Sequence, residues 1–115
     1  MEQKFEVEFM SEAVDFLDNL DPKAREKIYF NIKKAQFIND NELFKKLSDN
    51  IWEFRTLYDG KAYRLFSFWD KVGSKKSLVL ATHGIIKKKQ KTPLKEIEKA
   101  ELLRKQYLND KYKIK

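Results

Sequence analysis

Cysteine is absent from this 115-residue chain, so disulfides, thiolate metal sites and cysteine nucleophiles are excluded, and a reducing compartment would be harmless. Long apolar runs are missing too. Nothing approaches the length of a membrane span, and the opening Met1-Glu2-Gln3-Lys4 lacks the apolar region of a signal peptide, so the expectation is a soluble, cytoplasmic protein with no membrane partner. No spacing matches a phosphate-binding glycine loop, a zinc site or a serine triad. Phosphate-loop, metal and acyl-transfer chemistry therefore lack support, and neither a metal nor a cofactor is expected. Glycine and proline are scarce, at three and two residues, and no repeat or linker divides the chain. Residues 1–115 read as one domain, with a basic tail from about Lys111.

What the chain has in excess is positive charge, and it is unevenly placed. The formal net charge is +7, but residues 1–50 carry 8 Lys/Arg against 11 Asp/Glu, while residues 51–115 carry 17 against 7. Such a one-sided excess is the electrostatic footprint of a polyanion-binding protein, nucleic acid first. A solvated lysine-rich surface is the plainer reading of the same numbers.

Periodicity gives the elements. Phe5, Val7 and Phe9 alternate along a first strand. Ser11 is expected to cap a helix carrying Ala13, Phe16, Leu17 and Leu20, and Asp21-Pro22 to open a second running to about Phe37. A polar connection, Asn41 to Asp49, follows. The segments 51–58 and 61–69 are rich in aromatics and joined at Asp59-Gly60, a strong hairpin signal. Residues 70–76 read as a turn and 77–83 as a central strand. Thr92-Pro93 then opens a last helix in which Leu94, Ile97, Ala100, Glu101, Leu103 and Tyr107 recur at helical spacing. The order is β-α-α-β-β-β-α, an α+β fold with a largely antiparallel twisted sheet.

Strand alternation selects the residues that can meet. Trp52, Phe54 and Thr56 share one face of their strand and Glu53 and Arg55 the other; Tyr63 and Leu65 are likewise opposed to Arg64, Phe66 and Phe68. Helices covering the first face would leave Arg55 and Arg64 pointing outward together. His83 ends the adjoining strand, and Lys87, Lys88, Lys89 and Lys91 crowd the excursion that follows. RNA cleavage without a metal needs a base for the 2′-hydroxyl, an acid for the leaving 5′-oxygen and fixed cations for the phosphorane charge. Arginine serves phosphate best because its planar fork binds two oxygens at once. His83 is a candidate acid or base, and Trp69, Phe66 or Tyr63 are candidates for stacking on bases. Each has a plain alternative: a histidine held for structural reasons, an Arg55 paired across the sheet, core aromatics and a solvated lysine loop.

The order of elements, together with Trp52-Glu53-Phe54-Arg55, Tyr63-Arg64-Leu65-Phe66 and the run from His83 to Pro93, resembles the RelE/ParE toxin superfamily. The likeness is greatest to its phage-derived HigB-like branch, and strongest between Ile51 and about Ala100. The resemblance implies a RelE-like microbial RNase fold and the toxin of a type II toxin–antitoxin pair: an endoribonuclease that cuts mRNA on the ribosome. Its partners would be mRNA, the ribosome and a cognate antitoxin, expected to be a helix-turn-helix protein. It implies catalytic roles for Arg64, Arg55, His83 and Lys88, and RNA contacts from Lys87, Lys89, Lys91 and Lys61. The tyrosine that RelE uses near its C-terminus has no counterpart unless Tyr107 or Tyr112 substitutes. Two other readings stay open: a ParE-like inhibitor that binds DNA gyrase, and a noncatalytic nucleic-acid-binding adaptor.

Overall fold

The computed structural model describes residues 2–72, 77–88 and 91–113. Eight elements follow one another: β1 (Glu6–Phe9), α1 (Ser11–Asp18), α2 (Pro22–Ala35), β2 (Phe44–Lys46), β3 (Trp52–Tyr58), β4 (Lys61–Asp70), β5 (Leu78–Lys87) and α3 (Leu94–Tyr112). The strands form one mixed sheet in the order β1-β5-β4-β3-β2, and the fold is α+β. Only the β1–β5 pair is parallel, because two helices separate β1 from the hairpin strands and carry the chain across the sheet.

Alternation sorts the side chains into two cores. Phe54, Tyr63, Leu65, Val79 and Ala81 face α1 and α2, meeting Ala13, Leu17, Ala24, Ile28 and Ile32. Phe66, Phe68, Leu78 and Leu80 face the opposite way and are covered by Ala100, Ile97 and Tyr107 of α3. Phe66 and Tyr63, expected as candidate base-stacking residues, are therefore buried in the two cores. Trp69 packs against Phe5, Phe44 and Trp52 rather than standing free.

The hairpin turn falls where Asp59-Gly60 requires it. Both residues take positive φ, 50° and 73°, matching the twist of the flanking strands. The segment 41–49 is not wholly connection: Phe44–Lys46 form β2, pairing with β3, because the buried Phe44 ring stacks on Phe54 and Trp52. The helix starts also differ from expectation. Met10, not Ser11, holds the N-cap position of α1, and Pro93, not Thr92, that of α3; Asp21 precedes Pro22 as expected but makes no side-chain cap bond. Helix α2 stops at Ala35, short of Phe37, and α3 continues through Lys111 to Tyr112, where a tail was expected. Most of the expected 70–76 turn lies outside the described residues.

Two irregularities of β5 shape the site. Phe66 pairs with His83 but Ser67 with Ala81, so Thr82 is the extra residue of a bulge. From Leu80, strict alternation would send His83 toward α1; the bulge returns it, with Ile85 and Lys87, to the α3 face. Gly84 then faces α1, where a Cβ would lie 2.3–2.7 Å from ring carbons of Phe16. No larger residue fits that approach without moving the ring.

Candidate functional site

On the α3 face, the registers place functional side chains in rows across the strands. Lys45, Glu53, Phe66 and His83 form one row, Arg55, Arg64 and Ile85 the next, and Leu57, Ala62 and Lys87 a third. Helix α3 covers Phe66 and Phe68 but begins only at Leu94, so the arginine row lies beside the chain entering the helix.

Arg55 and Arg64 are direct cross-strand partners, as alternation required, but Arg64 does not point freely outward. It is 8 % exposed, and Glu53 beside it is 2 % exposed. The Glu53 carboxylate stands between the two guanidinium groups, 3.6 Å from the Nε of Arg55 through one oxygen and 3.6 Å from the Nε of Arg64 through the other. These are ion-pair distances, beyond hydrogen-bond length. Arg64 donates from Nη1 to the Tyr63 carbonyl and Arg55 to that of Asn41, yet neither Nε has a hydrogen-bond acceptor among the described residues. An unpaired buried donor is costly, and two of them flanking one carboxylate constitute an anion site whose hydrogen bonds are not filled from within. The Thr92 hydroxyl adds a third partner, donating to Glu53 Oε1 at 3.2 Å.

Electrostatics tie in the neighbours. Burial pushes the Arg64 guanidinium down from its ordinary value; Glu53 opposes this and Arg55 adds to it. The Lys87 ammonium is also lowered, by burial first, with Glu53 opposing and Arg64, Arg55 and Lys45 adding repulsion. Four cations therefore sense one another across a single carboxylate.

His83 does not end its strand as expected but lies inside β5, which runs on to Lys87. Its ring is 4 % exposed and stacks on Phe66 at 4.9 Å between centroids. Nδ1 lies 2.9 Å from the Thr82 hydroxyl and Nε2 3.1 Å from Glu96 Oε1 in the first turn of α3. Burial depresses its pKa and Glu96 partly restores it. Both ring nitrogens are thus engaged, Nδ1 within β5 and Nε2 in fastening β5 to α3.

The other expected residues are distributed as follows. Lys88 and Lys91 are exposed beside a cleft of about 470 Å³ whose walls include Ile86, Lys87, Pro93 and Lys95. Lys61 begins β4 at the hairpin tip and shares the Tyr63 face by alternation, which turns it away from the arginines. Lys89 lies outside the described residues. Tyr107 and Tyr112 both donate to Asp70 Oδ2, at 2.8 and 2.6 Å, and Lys111 joins them at 3.3 Å. Asp70 is six residues along β4 from Arg64, about 20 Å at strand rise, so neither tyrosine reaches the arginine row.

Glu53, Thr92 and Lys45 are the site residues that sequence reasoning missed. Alternation had put Glu53 on the Arg55 face, and hairpin pairing makes it diagonal to Arg64, which was a readable signal. Thr92 had none, being brought to Glu53 across 39 positions by the path into α3.

The model of the family described as phage-derived protein Gp49-like (DUF891) matches residues 15–105, from α1 to the middle of α3. No curated protein matches the chain.

Proposed function

The chain belongs to the Gp49-like phage-derived family, a RelE/toxin-like family, and from that premise we propose that it is the toxin of a toxin–antitoxin pair, acting as a metal-independent endoribonuclease on ribosome-bound mRNA. The observation that carries the proposal is the Glu53 carboxylate held between Arg55 and Arg64, with two buried Nε–H groups that lack acceptors among the described residues. A phosphodiester there would receive those N–H groups through its non-bridging oxygens, and Lys87 would add charge to the same side. Glu53 would take the proton of the 2′-hydroxyl. The 2′-oxygen then bonds to phosphorus, the bond from phosphorus to the 5′-oxygen breaks, and a 2′,3′-cyclic phosphate and a 5′-hydroxyl end result. The proton required by the departing 5′-oxygen would come from Lys87, whose lowered pKa suits it better than an ordinary lysine. His83, closed off between Thr82 and Glu96, serves as a positioning residue that keeps the α3 entrance, and with it Thr92, over Glu53.

The ribosome would supply the substrate orientation, which explains how such a small domain could act. The test is primer extension on a translated reporter mRNA after brief induction of the wild type and of Arg64→Ala, with ribosome-free RNA in parallel. Cuts inside the translated frame, reduced about 100-fold or more in the variant and absent on free RNA, are expected. Growth arrest without cuts would overturn the nuclease reading and direct attention to gyrase or another bound target.

A further inference from the structure

Four aromatic side chains gather where β3 begins and β4 ends, on the face of the sheet that meets α1 and α2 and therefore opposite the arginine row. Phe44 stacks on Trp52 with ring centroids 4.8 Å apart and planes 25° apart. Trp69 stands at 70° to Trp52, at 6.1 Å, and Phe5 meets Trp69 edge-on at 5.1 Å. Phe5 and Phe44 are buried, whereas Trp52 and Trp69 are only half-buried. The four rings wall a cavity of about 360 Å³, within the range of roughly 300–1,000 Å³ usual for small-ligand sites. Local bonds fix its other walls. Gln36, just past α2, accepts the Lys4 N–H on its carbonyl and donates its side-chain amide to the Phe5 carbonyl. The Asp40 carbonyl accepts from the Leu43 and Phe44 N–H groups, which sets the turn bringing Asn39, Asp40 and Asn41 to the cavity.

We propose that this cavity binds a nucleotide, through its base and its phosphate together. Three observations select that occupant. First, the walls are aromatic, and the two half-buried indoles offer π-faces on which a planar base stacks. Second, the polar lining consists of two amides and a carboxylate, which supply donors and acceptors for the edge of a base. Asp40 accepts the Glu42 N–H on Oδ1, but the side chains of Asn39 and Asn41 make no hydrogen bond among the described residues. Third, two exposed lysines stand beside the rings. Lys4 lines the cavity, and Lys46 is the direct cross-strand partner of Trp52, so the two share a face. Neither lysine pairs with a carboxylate among the described residues, so a phosphate arriving with the base would meet two available cations. An apolar side chain of another protein would leave both amides and both lysines unused. The inference goes beyond the nuclease reading and does not rest on it, because Trp52 and Phe54 face α1 and α2 while the arginines face α3.

The chain has two tryptophans and both line the cavity, so the intrinsic fluorescence of the full chain reads its occupancy. The probes are the ribonucleoside 5′-monophosphates, their nucleosides, ribose 5-phosphate and N-acetylphenylalaninamide. At least one monophosphate should quench the emission saturably and bind about tenfold or more tighter than ribose 5-phosphate, the effect of one stacked base. It should also bind tighter than its nucleoside. Lys4→Ala combined with Lys46→Ala should remove that last difference, and Asn39→Ala combined with Asn41→Ala should level the preference among bases. All four positions are exposed, so circular dichroism should not change. Arg64→Ala should leave the quenching as it is, which keeps this test separate from that of the nuclease. A trinucleotide compared with the free monophosphate identifies the source: tighter binding of the trimer assigns the cavity to a base splayed from a strand, tighter binding of the monomer to a free nucleotide. Equal binding of ribose 5-phosphate would reduce the site to its two lysines and overturn the proposal, as would the absence of quenching. Tighter binding of N-acetylphenylalaninamide than of every nucleotide would make the cavity a seat for a protein side chain instead. Quenching lost in Arg64→Ala would place the nucleotide in the arginine row and overturn it equally.

Discussion

At the residue scale the decisive object is Glu53. A carboxylate 2 % exposed between two guanidinium groups neutralises part of the charge that an RNA phosphate would otherwise meet, so the two functions proposed for it oppose each other. Glu53→Gln separates them. The amide keeps the shape and the bond to Thr92 but cannot accept the 2′-hydroxyl proton. The cleavage rate should fall about 100-fold or more while affinity for an uncleavable 2′-deoxy oligonucleotide stays equal or rises. A drop in both together would mean that Glu53 only organises the arginines. His83 yields a prediction of another kind. Its folded pKa lies below the ordinary 6.5, so the unfolded chain binds the histidine proton more readily. The stability this residue confers is therefore complete above about pH 6.5 and declines as pH falls toward the folded pKa. Urea unfolding midpoints should decrease from pH 7 to pH 5 in the wild type and remain nearly flat in His83→Gln. Asp70, whose pKa is depressed below 3.8 against the pull of burial by its tyrosine, backbone and lysine donors, loses its contribution only as pH falls below 3.8.

At the element scale α3 is fastened at both ends: by Glu96 on His83 in its first turn, and by Tyr107, Lys111 and Tyr112 on the buried Asp70 in its last two turns. Tyr107→Phe removes the hydroxyl that donates to the buried Asp70 carboxylate and accepts from Lys111 Nζ, and should cost about 1–3 kcal/mol in urea unfolding. It should leave cleavage unchanged at temperatures where the protein stays folded, since Asp70 and Arg64 are separated by about 20 Å of strand. The strands and helices themselves were readable because their signals are local. Strict alternation in 52–58 and 61–69 and the Asp59-Gly60 turn give the register that sets Arg55 opposite Arg64. What could not be read depends on partners distant in the chain. Strand β2 exists because Phe44 stacks under β3, not because three residues carry a pattern. The bulge at Thr82 decides which face His83 joins, yet nothing in the run from Ser77 to His83 marks it. Thr92 looked like a helix cap and instead spends its hydroxyl on Glu53.

At the scale of the whole molecule, charge and architecture divide the chain at the same place. The acidic half builds β1, α1, α2 and β2; the basic half builds β3 to β5 and α3, with the arginine row and the exposed Lys88 and Lys91 at one end of the sheet. Phosphate neutralisation by that end should make RNA binding strongly dependent on salt. Were Arg55, Arg64, Lys87, Lys88 and Lys91 each to displace one counterion from a single strand, the logarithm of the association constant would fall with the logarithm of salt concentration at a slope of about −3.5. Replacing Lys88 and Lys91 together with alanine should reduce that slope by about 1.4 in filter-binding titrations with an uncleavable oligonucleotide. Lys61→Ala, on the far face of the hairpin, should not change it. A slope that ignores the Lys88 and Lys91 changes would show the lysine run to be a solvated loop, with the arginine row alone holding the phosphate.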